Sequence, residues 1–195
     1  PFYLPNKSGN VKIDFYAVDN VNNKTNSDGS HNVGKKYMQS YMDLDGPILS
    51  YNFYGKTMKI NDTTYLNPST KILLNAKDSE SGVKNITYTI DQGELYDYSK
   101  GFTVQEDGLH KIEYYGYDNV NNSSENNLFF KIDGTGPEII PQFSMKPIGS
   151  TTKGNVEYKI FPKHVILYIS AFDNMVGAKT ILYSINNSAE KTYTS

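Results

Sequence analysis

The chain has 195 residues, no cysteine, a formal net charge of −2, and lysine as its only strongly basic residue. The lack of cysteine excludes disulfides, cysteine nucleophiles and thiolate metal sites. The charge balance and the missing arginine argue against nucleic-acid binding, because phosphates are held by clustered positive charge and guanine by arginine.

The first recognisable element is the phrase FYAVDNVNN at Phe15 to Asn23, which returns as YYGYDNVNN at Tyr114 to Asn122. Polar and apolar residues alternate up to each turn, which predicts a half-buried strand. The predicted inward faces are Val11, Ile13, Phe15, Ala17 and Asp19 in the first copy, and His110, Ile112, Tyr114, Gly116 and Asp118 in the second. Each phrase then ends in a hairpin turn, in which Asn22 or Asn121 is expected to take a positive φ.

Two segments that combine glycine with proline mark boundaries along the chain. They are DGPI at Asp45 to Ile48 and DGTGPEI at Asp133 to Ile139. Such segments interrupt regular structure. The interval between them, residues 46–134, is therefore predicted to be one complete unit. Its expected strands are Ile48–Tyr54, Lys71–Lys77, Lys84–Ile90, Leu95–Tyr98, Thr103–Val104, Leu109–Asp118 and Leu128–Ile132.

A second internal repeat follows a different phrase. The segment from Ile72 to Asp91 matches the segment from Ile166 to Asn186, and Asp78 aligns with Asp173, 95 positions later. Each copy is predicted to form a strand, a glycine-containing turn and a second strand. The longest apolar run, Val165 to Ile169, is far shorter than the ~20 residues needed to span a bilayer, so no membrane span is expected in this segment.

The order of these motifs resembles the bacterial extracytoplasmic immunoglobulin-like repeat. The matching residues read A-x-D-x-x-S-G-V-K with Y-x-I-D, then G-x-H-x-I-x-Y-x-x-x-D-N-x-x-N, then a closing I-D-G-x-x-P. The resemblance implies an all-β fold of tandem immunoglobulin-like β-sandwich domains. Residues 46–134 would form the complete repeat, residues 1–45 the C-terminal part of another, and residues 135–195 the N-terminal part of a third. About seven short strands in about ninety residues agree with such a sandwich.

The family occurs in outer-membrane-associated proteins, adhesins and multidomain secreted hydrolases. The resemblance therefore implies an extracytoplasmic location: at the cell surface, associated with the outer membrane, or secreted. The expected role is a non-catalytic adhesion or spacer module of a bacterial protein, and the alternative is a carbohydrate-binding accessory module of a secreted hydrolase. Expected partners are neighbouring immunoglobulin-like repeats or other copies of the chain, and a host matrix protein or glycan.

The residues give no pattern for catalysis. His31, His110 and His164 form no paired histidine motif, and neither a G-x-S-x-G elbow nor a phosphate-binding glycine loop occurs. The chain is therefore not expected to be an enzyme or to need a cofactor. His110 is expected to be buried and structural, because it shares the inward face of a predicted strand.

Acidic loop residues leave calcium binding open, because hard cations take carboxylate and carbonyl oxygens. The candidate ligands are Asp45, Asp78, Glu80, Asp118 and Asp133, with Asp43 in the same loop as Asp45. The alternative is that these residues cap turns or are solvated.

Tyr115 and Tyr117 lie on the outer face of a predicted strand. They are candidates for stacking on a sugar, and the alternative is that they stabilise the sheet through cross-strand contacts.

The two flanks are expected to be incomplete sandwiches. Phe2 matches Phe102, and Tyr193 matches Tyr98, so the chain is expected to open and close inside repeats. Each flank would then expose an apolar face and a strand edge, which is unfavourable in isolation. We therefore expect both flanks to pair with strands from outside this stretch, supplied by a longer polypeptide or by a neighbouring copy. The alternative is that the repeat phase is different and the true domain boundaries lie near the chain ends.

Overall fold

The fold was analysed in a computed structural model that describes residues 1–21 and 36–194. Sixteen strands and no helix occur in these residues, so the predicted all-β class is confirmed. The strands are β1 (Gly9–Phe15), β2 (Lys36–Met42), β3 (Ile48–Tyr54), β4 (Thr57–Ile60), β5 (Thr63–Leu66), β6 (Lys71–Lys77), β7 (Val83–Ile90), β8 (Tyr96–Asp97), β9 (Gly108–Asp118), β10 (Ser123–Ile132), β11 (Glu138–Phe143), β12 (Gly149–Lys153), β13 (Val156–Ile160), β14 (Leu167–Phe172), β15 (Leu182–Tyr183) and β16 (Lys191–Thr192).

Most strand predictions agree with this order, and two differ. The hairpin of β4 and β5 was not predicted, although Asn61 between them takes the positive φ of 53° that such a turn uses. No strand forms at Thr103–Val104, where one was expected, and the preceding residue, Phe102, forms an isolated bridge with Ile72. Within the described residues, no helix is long and apolar enough to cross a membrane.

The chain divides into two compact units, each assembled from several segments. The first consists of Pro1–Tyr54, Ile72–Phe102 and Lys111–Leu128, and the second of Gly55–Lys71, Thr103–His110 and Phe129–Ser195.

In the first unit, the neighbouring strands run in the order β10-β9-β7-β8. β7 and β9 are antiparallel, with Tyr88 opposite Tyr114 and Ile90 opposite Ile112. Strands β3 and β6 form a separate two-stranded sheet. The core side chains of this unit include Ile72, Leu74, Ile86, Ile112, Tyr114 and Leu128. Burying one aliphatic side chain of this size stabilises the fold by about 1.5–3 kcal/mol. These core residues therefore dominate the stability of the unit.

In the second unit, β4 pairs with β5 antiparallel, and β5 pairs with β10 parallel. The core contains Leu66, Val104, Phe130 and Ile132. His110 is buried with them, its ring stacked on Phe130 at a centroid distance of 5.7 Å and its Nε2 2.8 Å from the carbonyl oxygen of Glu106. The prediction that His110 is buried is therefore confirmed.

The strand pairings of the middle segment recur towards the end of the chain. The pairs β3–β6, β4–β5 and β7–β8 are followed by β11–β14, β12–β13 and β15–β16 in the same sequence order. The register also recurs: Tyr88 lies opposite Tyr96 in one hairpin, and Tyr183 lies opposite Lys191 in the other, 95 positions later. The second internal repeat of the sequence is thus also a repeat of local structure.

The two copies of the first phrase differ in burial. In β9, every member of the predicted inward face is buried, as expected. In β1, only Val11 is buried, Ile13 is half-buried, and Phe15 is exposed. Ala17 and Asp19 beyond β1 are exposed as well. The alternating face of the first copy is therefore mostly accessible, since β1 and β2 pair only with each other among the described strands.

Candidate functional site

Three aspartates from separate parts of the sequence meet in the first unit. Asp43 follows β2, Asp78 follows β6, and Asp118 ends β9. Each offers one carboxylate oxygen, and these three oxygens lie within 4.8 Å of one another. Asp118 is fully buried, while Asp43 and Asp78 are half-buried. We call these three residues the carboxylate cluster.

Asp118 is held by the hairpin turn that follows it. Its Oδ1 accepts hydrogen bonds from the backbone N–H groups of Val120 at 3.0 Å and Asn122 at 2.7 Å, and its Oδ2 accepts one from the Asn122 side chain at 2.7 Å. Burial raises the pKa of Asp118, but the hydrogen bonds from Asn122, Ser81 and Val120 together outweigh this effect, so the pKa lies below its ordinary value. The positive φ of 69° at Asn121 completes the turn and confirms the prediction for this residue. Asn22, the corresponding residue of the first copy, lies outside the described residues.

Asp43 joins the segment after β2 to two loops of the middle segment. Its Oδ2 accepts a hydrogen bond from the backbone N–H of Ser81 at 3.0 Å. Its carbonyl oxygen accepts one from the Asn122 side-chain amide at 3.1 Å. Because Asn122 also donates to Asp118, one amide group ties the hairpin turn to the connection that leads into β3. These bonds join the connection that leads into β3 to the β6–β7 loop and to the β9–β10 turn.

Asp78 closes the loop between β6 and β7. Its Oδ1 accepts hydrogen bonds from the backbone N–H groups of Glu80 at 3.2 Å and Gly82 at 2.6 Å. The same closure recurs at Asp173, whose Oδ1 accepts a hydrogen bond from Gly177 N–H at 2.9 Å. Gly82 and Gly177 both have positive φ, 81° and 78°, which only glycine adopts easily. The backbone N–H groups of Met175 and Gly177 lower the pKa of Asp173.

The cluster has the right atoms to hold a divalent cation, but most of its carboxylate oxygens already accept N–H hydrogen bonds. Calcium takes six to eight oxygen ligands. Both oxygens of Asp43 and both of Asp118 already accept N–H hydrogen bonds. Among the three residues, only Oδ2 of Asp78 has no such bond in this network. The geometry therefore favours interlocking of loops as the main task of the cluster.

The other three calcium candidates, Asp45, Glu80 and Asp133, each make their own hydrogen bonds. Asp45 is exposed and accepts a hydrogen bond from the Ser8 hydroxyl at 2.6 Å. Glu80 is exposed and bonds the Tyr41 hydroxyl at 3.5 Å. Asp133 belongs to the second unit, where its Oδ1 accepts a hydrogen bond from Thr135 N–H at 3.3 Å. Of the five candidates, the structure places only Asp78 and Asp118 in the cluster, together with Asp43.

The predicted sugar-stacking residues have half-buried side chains on the outer face of β9. Tyr115 lies opposite Thr87, and Tyr117 opposite Asn85, in the pairing with β7. Tyr115 lines a shallow groove of the first unit, whereas Tyr117 is not among its lining residues. The residues of this groove are Glu113, Tyr115, Glu125, Asn126 and Asn127. We call it the Tyr115 groove.

A further aromatic group was not predicted as a site. Tyr88 stacks on Phe102 with ring centroids 4.3 Å apart, and Tyr96 lies 5.6 Å from Tyr88. Because Tyr88 and Phe102 cover each other, their ring faces are used within the protein. In the sequence, this group is indicated only by the spacing of tyrosines around β7 and β8. That spacing cannot distinguish aromatic rings that pack inside the protein from rings that bind a ligand.

The histidines show no catalytic grouping in the described residues. His110 is buried, His164 is exposed, and His31 lies outside the described residues. No protein-family model, curated protein or solved structure matches the sequence. Evidence on function therefore comes from the carboxylate cluster, the Tyr115 groove and the repeated local geometry.

Proposed function

We propose that this chain is a non-catalytic segment of a tandem immunoglobulin-like array in a bacterial extracytoplasmic protein, where it acts as an adhesion or spacer module. The extracytoplasmic setting, at the cell surface, associated with the outer membrane or secreted, follows from the sequence resemblance. The β-sandwich assignment for residues 46–134 follows from the same motifs. A spacer needs repeats of constant form and defined connections between them.

The observation that carries this proposal is the recurrence of local geometry at a constant spacing. Asp91 and Asn186, 95 positions apart, have φ values of 51° and 50°. Tyr98 N–H donates to the carbonyl oxygen of Ile86 at 2.9 Å, and Tyr193 N–H donates to that of Ile181 at 2.9 Å. Turn conformation and hairpin closure thus recur together, as expected when one supersecondary unit is used repeatedly.

The carboxylate cluster supplies the second requirement, a defined connection. Asp43 stands two residues before Asp45 and three before Gly46, at the predicted boundary between repeats. A Cβ atom at Gly46 would come within 2.5 Å of the backbone of Ser123, so the connection packs closely against the start of β10. Pro47 is buried directly after it. These contacts restrict the orientation of the segment before the boundary relative to the hairpin that follows Asp118.

The connection can be tested by limited proteolysis of the chain. Asp43→Ala removes the acceptor of the Ser81 bond, so we expect faster cleavage around residues 42–47. Asp45→Ala is the matched control, because it removes only an exposed bond to Ser8. Equal cleavage rates for the two variants and the parent chain would contradict a clamped connection.

The adhesion role needs a separate test, a binding screen against matrix proteins and glycans. Binding of a matrix protein without glycan binding would support adhesion, and no binding to either would leave the spacer role. Hydrolysis of a glycan or peptide by the purified chain would contradict the non-catalytic assignment.

A carbohydrate-binding accessory role is the second candidate, and the Tyr115 groove is the observation that favours it. An aromatic ring beside carboxylate and amide groups is a suitable combination for a sugar, since the ring can cover an apolar sugar face while the polar groups bond hydroxyls. The groove offers Tyr115 for the first task, with Glu125 and Asn126 for the second.

This alternative predicts a specific pattern among variants. Tyr115→Ala and Asn126→Ala should both abolish binding of any glycan found in the screen. Tyr117→Ala is the matched control, because Tyr117 lies on the same face of β9 but outside the groove. Glycan binding that survives Tyr115→Ala would exclude the groove as the binding site.

A further inference from the structure

We propose that the loop between β14 and β15 is a latch that closes on Asp133. In the closed state, the backbone N–H of Val176 would donate a hydrogen bond to Oδ2 of Asp133. The latch would regulate the connection that follows residue 133, so its functional meaning rests on the spacer role proposed above. The structural support comes from a comparison of residues 43–47, the first boundary segment, with residues 133–137, the second boundary segment.

The two boundary segments share one local form. Each begins with an aspartate and ends, four residues later, with a proline: Asp43 with Pro47, and Asp133 with Pro137. In each segment, Oδ1 of the aspartate accepts a hydrogen bond from the backbone N–H two residues later, at 3.2 Å in the first and 3.3 Å in the second. Asp133 therefore occupies the position that Asp43 has in the first boundary segment.

The loops that follow β6 and β14 correspond as well. Ser81 and Val176 occupy equal positions, at the spacing of 95 that also relates Asp78 to Asp173. Oδ1 of each loop aspartate accepts hydrogen bonds from the backbone N–H groups two and four residues later. The N–H group between those two differs. That of Ser81 donates to Oδ2 of Asp43 at 3.0 Å, whereas that of Val176 donates to Oδ1 of its own loop aspartate at 2.9 Å.

Asp133 therefore lacks the donor that Asp43 has. Asp133 is only 9% exposed, and its Oδ2 is buried with no hydrogen-bond partner among the described residues. A buried carboxylate oxygen is unfavourable unless it accepts a hydrogen bond. In the first boundary segment, the loop after β6 supplies that bond. The equivalent donor is the N–H of Val176, so closure would satisfy Asp133 in the same way.

Val176 can leave its present acceptor without creating an unsatisfied group. Oδ1 of Asp173 accepts three backbone N–H groups, those of Met175, Val176 and Gly177, each at 2.9 Å. One carboxylate oxygen offers about two lone pairs, so the third N–H adds little. Asp78 closes the corresponding loop with two such bonds. After closure of the latch, Asp173 would keep those same two bonds.

A pocket in the second unit gives the loop room to close. Asp133 and Val176 both line this pocket, which has a volume of about 240 Å³. Met58 and Leu66 contribute apolar surface to the same lining. Val176 is half-buried in the structure, and closure would cover more of its side chain together with this apolar surface. Burial of apolar surface favours such a movement.

The latch would give the connection after Asp133 two states. The structure shows the open state, in which Val176 bonds within its own loop. In the closed state, the bond would join the second boundary segment to the β14–β15 loop, as Oδ2 of Asp43 joins the first boundary segment to the β6–β7 loop. The stiffness of this connection would then change without any change in the strands.

The test is a double-mutant cycle followed by trypsin cleavage after Lys179, an exposed residue of the same loop. Asp133→Ala and Val176→Pro each remove one partner of the closing bond. Because cleavage of a loop reports how often it is open, each variant should be cut about threefold faster or more than the parent chain. The combined variant should be cut no faster than the faster single variant, since both changes remove the same bond.

The two single variants also protect the test against a failure to fold. Val176→Pro leaves Asp133 in place, and proline suits the position before Gly177, whose φ is 78°, as in a type II turn. The matched control is Thr135→Val. Thr135 lines the same pocket, and its hydroxyl bonds Oδ1 of Asp133 at 3.2 Å, so the control perturbs the site but leaves Oδ2. It should be cleaved at the rate of the parent chain.

Amide hydrogen exchange tests the new acceptor directly. In Asp173→Ala, the N–H of Val176 loses its present acceptor, and the latch predicts that Asp133 then protects it. Adding Asp133→Ala to that variant should speed exchange of the Val176 amide by about tenfold or more. The amides of β9 are the reference, and their unchanged exchange shows that the variants remain folded.

Two results would overturn the latch. One is cleavage after Lys179 at the parent rate in both Asp133→Ala and Val176→Pro. The other is equal exchange of the Val176 amide in Asp173→Ala with and without Asp133→Ala. The proposed function has a separate readout, the cleavage of Asp43→Ala around residues 42–47. If that response persists while the latch tests fail, the latch is overturned and the clamped connection of the spacer remains.

Discussion

The substitution Tyr114→Phe should stabilise the protein. Tyr114 is fully buried, and its hydroxyl oxygen makes no hydrogen bond of good geometry, although the Asn126 side chain lies close enough to interact with it. A buried polar group without a partner costs about 1–3 kcal/mol, and deleting the oxygen leaves the ring packing in place. We expect the free energy of unfolding to rise by about 1 kcal/mol.

The assay is urea unfolding of the parent and variant chains, followed at pH 7 and at pH 10–11. Burial, and secondarily Tyr51, raise the pKa of Tyr114 above 10. A raised pKa in the folded state means that the unfolded chain ionises first, so stability is complete below about pH 10 and falls as pH rises further. The variant should lose less stability over this range than the parent. A variant that is less stable at pH 7 by more than about 0.5 kcal/mol would show that the hydroxyl is hydrogen-bonded and would refute the reasoning.

The remaining predictions concern the turn, the histidine and the cluster. Asn121→Gly should change the unfolding free energy by less than about 0.5 kcal/mol, and Asn121→Val should cost about 1–2 kcal/mol, because only the β-branched residue resists a positive φ; equal melting temperatures would contradict this. His110→Ala should cost about 1–3 kcal/mol in urea unfolding, through the lost bond between the buried imidazole and the Glu106 carbonyl oxygen and the lost stacking on Phe130. Asp118→Asn should reduce the dependence of the unfolding free energy on pH in acid. The lowered pKa of Asp118 in the folded state gives stability that is present above about pH 4 and lost as the pH falls through the folded-state pKa, and the variant has no such group. Millimolar calcium should shift the melting temperature by less than about 1 °C relative to chelator, and a large rise would instead assign a cation to the cluster.

Strands that contain a long run of alternating polar and apolar residues are predicted well from the sequence. β9 alternates over eleven residues, and each predicted inward residue is buried. The hairpin of β4 and β5 escapes the same approach, because each strand has only four residues and the turn at Asn61 contains no glycine. Short alternating runs occur in loops as well, so four residues carry too little periodic information to decide.

The carboxylate cluster could be predicted only in part. Asp78 and Asp118 stand out because each begins a turn that contains asparagine or glycine. The role of Asp43 depends on Ser81 and Asn122, which are 38 and 79 positions away in the sequence. Local pattern does not report such contacts, because they arise only when the loops of different strands are brought to the same end of the fold. The burial of Asp118 likewise depends on this assembly.

β1 and β15 differ from their counterparts in the middle segment, since β1 buries less of its alternating face than β9 and β15 is shorter than β7. Among the described strands, β1 pairs only with β2 and β15 only with β16, whereas β9 and β7 each have two neighbours. Ile13 and Phe15 keep the pattern of Ile112 and Tyr114 but remain accessible. Alternation of polar and apolar residues therefore indicates which face a strand can bury, whereas actual burial requires a second sheet packed against that face. Burial of the apolar face of a strand thus depends on which strands pair with it and pack against it, as well as on its own alternation.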